Sequence, residues 1–511
     1  MNSTSVRQTA FDRLFTAAAS RPDDLDAVLD LAELAQADQR ETEALPLLDR
    51  ACQIIPSQAI LWQWRGLLHR AIDEREHAIP AFQRALALAP SDARIAQGLA
   101  RVLLEAGLPS VEAFDRALAL APGDGPTILG RTAALFAAGE GEAALAYVDA
   151  LLVQYPTWVD GHRDRIMLAG MLGFGADAFA LLHHALAANP TVFELWHLAI
   201  HSHATANQPG EVLTLAHAGV NAYGMSPLFA VNQAVALSDL GELSEADAQF
   251  ALSGPPASAD IALHWIRQAL RCGRLDEAAS LIDQWLYKPG DEILWPYADL
   301  VWRMIGDERA EWLGGSGQFV SVMNIADRIG NVSALAQLLS GLHQARHALL
   351  DQSVRGGTQT DGALFHRIDP PIKALRAGVL SAVQDYIAAL PAVDPRHPML
   401  RCSRDKAPRF AGSWSVRLRA QGRHANHVHP AGMISSAFYV SLPESIGAGD
   451  NRAGWFSAGA PQAELGLDLG PCTYVEPSVG TLVLFPSMMW HGTEPFSQGE
   501  RLTVAFDIAP M

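Results

Sequence analysis

Three histidines near the C-terminal end of the sequence have the residue type and spacing of a metal site. His427 and His429 are two residues apart, and side chains two apart on an extended chain project from the same face. His491 follows 62 residues later, behind the apolar run 481–486. Neutral imidazoles bind first-row transition metals, and three of them leave coordination positions open for a substrate or dioxygen. The sequence therefore predicts a metal site held by His427, His429 and His491.

Two polar residues beyond His491 predict an anion site beside this metal. Arg501 and Thr503 fall on one face of an apolar, strand-like segment, where a guanidinium and a hydroxyl can both reach a carboxylate. An inward-facing arginine needs an anionic partner. The alternative is a surface pairing of Arg501 with Asp507 or Glu500, which would contribute only ~0–1 kcal/mol. A metal next to a carboxylate anchor is typical of an oxygenase that binds a keto acid.

Several short motifs occur in a fixed order along the C-terminal region. They are 413–418 (SWSVRL), 426–430 (NHVHP), 434–440 (ISSAFYV), 480–487 (GTLVLFPS), 491–492 (HG) and 501–503 (RLT). Through them, the chain from about residue 345 onward resembles the bacterial 2-oxoglutarate/Fe(II) oxygenases. The resemblance implies a double-stranded β-helix with iron at its mouth. It also implies His427 as first ligand, His491 as distal ligand and Arg501 as anchor of the C5 carboxylate of 2-oxoglutarate.

The sequence departs from that family at one ligand position. The wider superfamily has Asp or Glu two residues after the first histidine, whereas this chain has His429. Either His429 ligates and makes a three-histidine site, or the position is held by water or by an acid from elsewhere. Asn426 and Tyr439 are further candidates for binding cofactor or substrate through their amide and hydroxyl groups. Both can equally be structural polar groups.

Three function classes remain open on these residues. The leading hypothesis is a dioxygenase that depends on Fe(II) and takes 2-oxoglutarate as co-substrate. A cupin-like dioxygenase would use three histidines without 2-oxoglutarate, but it usually carries a Glu shortly after the His-x-His pair, where this chain has residues 432–435 (GMIS). The third class is a catalytically inactive oxygenase fold that serves as an interaction protein.

A second pair of histidines, on a predicted helix, gives a competing metal site. His197 and His201 are four residues apart and share a helix face with Glu194. That spacing can hold zinc, but the pair lacks the Glu that directly follows the first histidine in a zinc-protease helix. The pattern favours buried or groove-lining histidines.

The N-terminal part of the chain repeats with the period of tetratricopeptide repeats. Prolines at 56, 90, 122, 156 and 190 recur at intervals of 32–34 residues. Ala78, Phe82 and Ala85 precede Pro90 with the same offsets that Ala178, Leu182 and Ala185 have from Pro190. Stacked repeats of this kind form a superhelix with a concave surface. The surface either supports an enzyme or recruits a protein or peptide partner, and the sequence leaves both open.

The predicted architecture is multidomain, α plus β. It comprises an N-terminal extension (1–22), an α-solenoid of tetratricopeptide repeats (23–310), joining helices and a loop at 352–360 (311–400), and a double-stranded β-helix, or jelly roll, flanked by helices (401–511). The long link 443–477 is rich in Gly, Ala and charge, and is expected to be a mobile lid.

Charge, cysteine content and hydropathy predict which partners are disfavoured and in which compartment the protein lies. A formal net charge of −18 argues against nucleic-acid and anionic-membrane surfaces, which are recognised through Lys and Arg. Four scattered cysteines without a CxxC pair indicate a reduced chain. The first residues lack the apolar core of a signal peptide, and no run of eighteen residues is apolar throughout. The sequence therefore predicts a cytoplasmic protein.

Overall fold

The chain divides into two compact units. The computed structural model describes residues 3–348, 352–404, 406–446 and 452–510. One unit comprises Met1–Tyr147 and Gly362–Lys373, and the other comprises Val148–Asp361 and Ala374–Met511. The predicted domain boundaries at residues 22, 310 and 400 stay predictions, because this division by compactness falls within the repeats themselves.

Consecutive helices build the first unit. They are α1 (Ser3–Ser20), α2 (Leu25–Ala37), α3 (Glu41–Ile54), α4 (Ala59–Ala71), α5 (Arg75–Leu88), α6 (Ala93–Glu105), α7 (Val111–Leu120), α8 (Gly125–Ala137) and α9 (Gly141–Gln154), the last of which continues into the residue range of the second unit. Pro56, Pro90, Pro122 and Pro156 each stand two residues beyond the end of a helix. Proline cannot donate a backbone hydrogen bond, so it marks these ends.

Alternating small and large residues let the repeat helices approach closely. Phe82 of α5 is fully buried, and its ring lies against Gly66 of α4 and Gly98 of α6. A Cβ added at Gly66 would stand 2.7 Å from that ring, so only glycine fits there. Ala78 and Ala85 are also fully buried, which confirms the predicted pattern of small residues around Phe82.

Helix pairs continue in the second unit, beyond the range in which the sequence period is clear. Its helices are α10 (Val159–Leu172), α11 (Ala180–Ala188), α12 (Phe193–Thr205), α13 (Pro209–Tyr223), α14 (Pro227–Leu240), α15 (Leu243–Ser253), α16 (Ala259–Arg271), α17 (Leu275–Trp285), α18 (Trp295–Ile305), α19 (Arg309–Leu313), α20 (Ala326–Ile329), α21 (Val332–Leu342) and α22 (Pro370–Ala389), whose first turn belongs to the first unit. The predicted helical repeat solenoid is confirmed.

Two antiparallel sheets follow, as the predicted jelly roll requires. The strands are β1 (Ser321–Asn324), β2 (Val354–Gln359), β3 (Phe410–His424), β4 (Ile434–Ser441), β5 (Phe456–Ala458), β6 (Thr473–Val475), β7 (Thr481–Pro486), β8 (His491–Thr493) and β9 (Arg501–Ile508). Among the described strands, one sheet has the order β1-β7-β4-β9-β3-β2 and the other β6-β5-β8. Buried apolar residues of β4, β7 and β9 fill the interior, which explains why these strands read as continuous apolar runs.

Two segments differ from expectation. Residues 352–360 were predicted as a loop, which is wrong, because β2 lies there and pairs with β3 at the sheet edge. Its glycines and threonines gave no apolar alternation, and Gly356 sits at a register shift with φ 71°. The link 443–477 contributes β5 and β6 to the smaller sheet. Residues 447–451, on which the lid prediction partly rests, lie outside the described residues.

Helix length also bears on membranes. Within the part of the chain that the structure describes, no helix is both long enough and apolar enough to span a bilayer.

Candidate metal centre

Backbone hydrogen bonds bring the three predicted histidines together. His427 and His491 form an isolated antiparallel bridge, in which each backbone N–H donates to the other's carbonyl at 3.0 Å. The backbone N–H of His429 donates to the Ser487 carbonyl at 2.8 Å. One possible ligand atom from each of the three side chains lies within 4.8 Å of the other two. The sheet thus joins two segments that are far apart in sequence.

Hydrogen bonds at Nδ1 fix the tautomer of each ring. Nδ1 of His427 donates to the Ala425 carbonyl at 2.8 Å, and Nδ1 of His491 donates to the Met489 carbonyl at 2.9 Å. Nδ1 of His429 lies 2.6 Å from Oδ2 of Asp507. Because carbonyl oxygens only accept, the proton sits on Nδ1 and the lone pair on Nε2. This is how proteins orient metal-binding histidines, so the three rings fit a first-row transition metal.

Burial keeps the rings of His427 and His491 neutral. It lowers the pKa of His427 to about 3, with the neighbouring His429 adding to the effect. It also holds the pKa of His491 well below the ordinary value for histidine. Only a neutral imidazole offers a lone pair to a metal, so the uncharged state at neutral pH suits ligation.

Arg501 is a buried cation with unsatisfied donors. Its side chain is 2% exposed, and its Nε and Nη1 have no hydrogen-bond partner among the described residues. The guanidinium carbon lies 5.0 Å from the ring centroid of Tyr439, whose hydroxyl also lacks a partner there. Burial lowers the pKa of Arg501, but a guanidinium stays protonated in proteins. Such a group needs an anion, and its forked donors match a carboxylate.

One cavity contains most of the predicted site residues. His427, His429, His491, Arg501 and Thr503 all line it. Tyr439 contacts the site through Arg501. Asn426 is not among the lining residues, and its amide instead donates to the Pro461 carbonyl at 3.0 Å. The predicted ligand and anchor roles stay predictions, but these residues, apart from Asn426, are brought together.

Asp507 is a site residue that the sequence interpretation did not include. Beyond its contact with His429, it accepts a hydrogen bond from the Ser435 hydroxyl at 2.6 Å. The surface pairing of Arg501 with Asp507 is therefore not what the structure has. Asp507 lies four residues after Thr503 and six after Arg501 on β9. Residues an even number of positions apart on a strand share a face, so the sequence did contain a signal for its inward position.

Ser353 and His424 also belong to the rim of the cavity. The Ser353 hydroxyl lies 3.2 Å from Nε2 of His427 and 2.9 Å from Nδ1 of His424. Ser353 stands in the segment predicted as a loop, just before β2. Neither residue carried a spacing signal, because their proximity depends on the pairing of β2 with β3.

The helical histidine pair does not form a comparable centre. The rings of His197 and His201 are parallel, with centroids 6.3 Å apart, and both side chains line a groove. Among the described residues, His427, His429 and His491 are the only group of three or more potential ligands that lie close enough to hold an ion. The groove-lining interpretation of His197 and His201 is confirmed.

One known protein family matches the part of the chain that contains the candidate metal centre. A family described as "Putative 2OG-Fe(II) oxygenase" matches residues 412–507, which include the three histidines, Arg501 and Thr503. No curated protein matches the sequence.

The solved structures that resemble part of this chain include two described as tetratricopeptide repeat proteins. MamA is 21% identical, with a TM-score of 0.26, covering 29% of this chain and 91% of its own. YrrB, a TPR protein with an unusual peptide-binding site, is 19% identical, with a TM-score of 0.29 and coverages of 36% and 96%. A tetratricopeptide repeat protein from Parabacteroides merdae is 13% identical, with a TM-score of 0.30 and coverages of 47% and 96%.

Proposed function

We propose that the chain is a 2-oxoglutarate- and Fe(II)-dependent dioxygenase that hydroxylates its substrate. Support comes from one combination: three histidines whose possible ligand atoms lie within 4.8 Å of one another share a cavity with a buried arginine that has unsatisfied donors. A metal alone would leave Arg501 without an anion. A dicarboxylate that binds the metal at one end and Arg501 at the other satisfies both halves of the cavity.

The proposed division of labour follows from the contacts. His427, His429 and His491 would hold the metal through Nε2, and Asp507 orients His429. Fe(II) bound there would supply the redox chemistry, in which dioxygen is reduced while 2-oxoglutarate is oxidatively decarboxylated to succinate and carbon dioxide.

The anchoring of 2-oxoglutarate is assigned to the residues around Arg501. Its Nε and Nη1 donate to the C5 carboxylate, Thr503 adds a hydrogen bond, and Tyr439 keeps the guanidinium in place through its ring. Arginine suits this task better than lysine because its planar fork matches a carboxylate. Two aromatic side chains are proposed to exclude water from the site. The ring centroid of Phe485 lies 4.5 Å from that of His491, and the ring centroid of Trp414 lies 5.6 Å from that of His429.

An anaerobic titration tests the proposal directly. Fe(II) is added to the metal-free chain, followed by 2-oxoglutarate, and the metal-to-ligand charge-transfer absorption of the keto-acid chelate is recorded. We expect this band to appear only when both are present. Admission of oxygen should then consume 2-oxoglutarate and release succinate, even without a substrate.

The same titration separates the rival functions. Iron that binds without a chelate band, with no effect of 2-oxoglutarate, would assign the site to a cupin-like dioxygenase. A chain that retains no iron would be an interaction protein with an inactive oxygenase fold.

A further inference from the structure

A polar groove runs across the repeat helices of the second unit. Its volume is about 630 Å³, and it is lined by one face each of α12, α14 and α16. His197 and His201 come from α12, Asp239 from α14, and Arg267 and Arg271 from α16. These are the first helices of three successive pairs, which line the inner surface of a repeat stack. We call this surface the α12–α16 groove.

The groove ends beside the metal cavity. Arg355 and Gln462 of the β-domain line the groove together with the repeat helices. Ser353, only two residues before Arg355, lines the metal cavity and contacts His427. Gln462 likewise follows Pro461, whose carbonyl accepts from the amide of Asn426. Two residues of extended chain span about 7 Å. A segment bound in the groove therefore lies close to residues that line the histidine cavity.

Part of the groove's charge is neutralised within the fold. Arg271 donates to Oδ1 of Asp239 at 2.5 Å, to the Ser238 hydroxyl at 2.7 Å and to the Glu464 carbonyl at 3.2 Å. Its hydrogen-bonding capacity is thus largely used, and the carboxylate of Asp239 is already paired. A bound ligand is therefore not needed to satisfy Arg271 or Asp239.

Other donors in the groove lack an acceptor. Nε of Arg267 is buried without a hydrogen-bond partner among the described residues. Arg267 reaches Asp239 only at 3.4 Å, and Asp239 is already held by Arg271. Among the described residues, the exposed Arg355 donates only to the backbone carbonyls of Gln352 and Val354, and no carboxylate there neutralises its charge. The free capacity is therefore cationic and donating, which fits carboxylates.

We propose that the α12–α16 groove binds an acidic segment of a protein substrate, with Arg267 and Arg355 holding its carboxylates while a neighbouring residue enters the histidine cavity. This inference names the substrate class of the proposed oxygenase and rests on that function. Packed helices lie about 8–10 Å apart, so three inner helices span about six extended residues. That length suits a peptide segment. A segment with one or two carboxylates matches Arg267 and Arg355, whereas nucleic acid carries a phosphate on every nucleotide and would also meet Asp239 and Glu464.

Binding to defined peptide pools tests the inference. Fluorescent peptides of about ten residues are made as three pools of matched length: rich in Asp and Glu, in Asn and Gln, or in Lys and Arg. Fluorescence polarisation is measured with the full-length, iron-free chain. We expect the acidic pool to bind most tightly and to weaken with salt. Equal binding of the three pools, or tighter binding of an oligothymidylate than of the acidic pool, would overturn the proposal.

Charge-removing variants locate the site. Arg267→Gln should weaken binding of the acidic pool roughly ten-fold, Arg355→Gln, at an exposed position, about two- to five-fold, and Arg355→Lys should recover part of the latter loss. Arg163→Gln is the matched control, since Arg163 is exposed on α10, pairs with Asp160 and lies outside the groove. Circular dichroism verifies folding. Folded groove variants that bind like the control would contradict the assignment.

The two proposals fail separately. Polarisation on iron-free protein does not depend on turnover, so acidic-pool binding without a keto-acid chelate would overturn the oxygenase and keep the groove. A protein that forms the keto-acid chelate but does not prefer the acidic pool would keep the oxygenase proposal and overturn the groove proposal. When both hold, the acidic pool should accelerate 2-oxoglutarate consumption and gain the mass of one oxygen atom.

Discussion

The two sets of closely spaced histidines have similar sequence patterns but very different surroundings. His427 and His429 meet His491 in a cavity where each Nδ1 is held by an acceptor. His197 and His201 stand on one helix with parallel rings in an open groove, and the structure brings no third ligand to them among the described residues. Spacing alone therefore does not distinguish a metal site from a polar surface.

The difference lies in what fixes the imidazoles. A helix places residues four apart on the same face but supplies no acceptor for their second nitrogen. In the β-domain, the bridge between His427 and His491 and the carboxylate of Asp507 determine both position and tautomer. Ligand affinity depends strongly on such outer contacts. The comparison predicts that iron binds to His427, His429 and His491 and does not bind to His197 and His201.

Removal of either bridged histidine should have the largest effect. We expect His427→Ala and His491→Ala each to abolish iron retention, because each removes one of three nitrogen ligands. The double variant His197→Ala, His201→Ala is the matched control and should retain iron like the wild type. The measurement is iron content after anaerobic reconstitution and desalting. Iron that follows the helical pair instead would reverse the comparison.

The next effect concerns Arg501 and should spare the metal. Arg501→Gln removes a charge-assisted contact of the kind that contributes ~1.5–3 kcal/mol, so 2-oxoglutarate should bind roughly ten- to a hundred-fold more weakly. Iron content should stay at the wild-type level. The charge-transfer band, titrated with 2-oxoglutarate, gives the affinity. Arg419→Gln removes an exposed arginine of β3 and serves as control. Unchanged affinity in Arg501→Gln would favour the cupin-like alternative.

The sequence predicted the elements that a local residue pattern determines, but not the strands that depend on pairing with a distant segment. Apolar runs identified β4, β7 and β9, and the prolines identified the helix pairs, because both signals are local. The edge strands β1 and β2 were missed. Each gains its strand character by pairing with β7 or β3, which lie far away in the sequence.

The site shows the same limit. His427 and His429 were expected on one extended strand, but β3 ends at His424 and the pair follows it. Their convergence instead comes from backbone bonds to His491 and Ser487. Asp507 was considered only as a surface partner of Arg501, because its actual partner, His429, is 78 residues away in the sequence. Residue types were thus predictable, whereas the contacts that orient them required the fold.

Asp507 should have a smaller effect than the ligands it supports. Asp507→Asn removes the negative charge beside His429 but keeps an oxygen that can accept from Nδ1. Changes to such outer contacts typically weaken metal binding about 10–100-fold, and we expect the lower end of that range. Competition with a chelator measures the affinity. Asp385→Asn, at an exposed aspartate of α22 paired with Arg328, is the control and should change nothing. Identical iron affinity in both variants would make Asp507 a purely structural residue.

The smallest effect is expected from a double substitution that restores the family's carboxylate. His429→Asp alone places a carboxylate toward Asp507, and two like charges that close disfavour joint ionisation. We expect this single variant to bind iron more weakly than wild type. Adding Asp507→Asn removes the repulsion, so the double variant should return to within a few-fold of wild type despite its two changes. Wild type, the two single variants and the double variant form a double-mutant cycle. Chelator competition gives the iron affinity of each protein, and the four affinities give the coupling energy between positions 429 and 507. Additive losses would mean that His429 and Asp507 act independently, and the fixed imidazole would no longer explain why iron prefers this cavity to the helical pair.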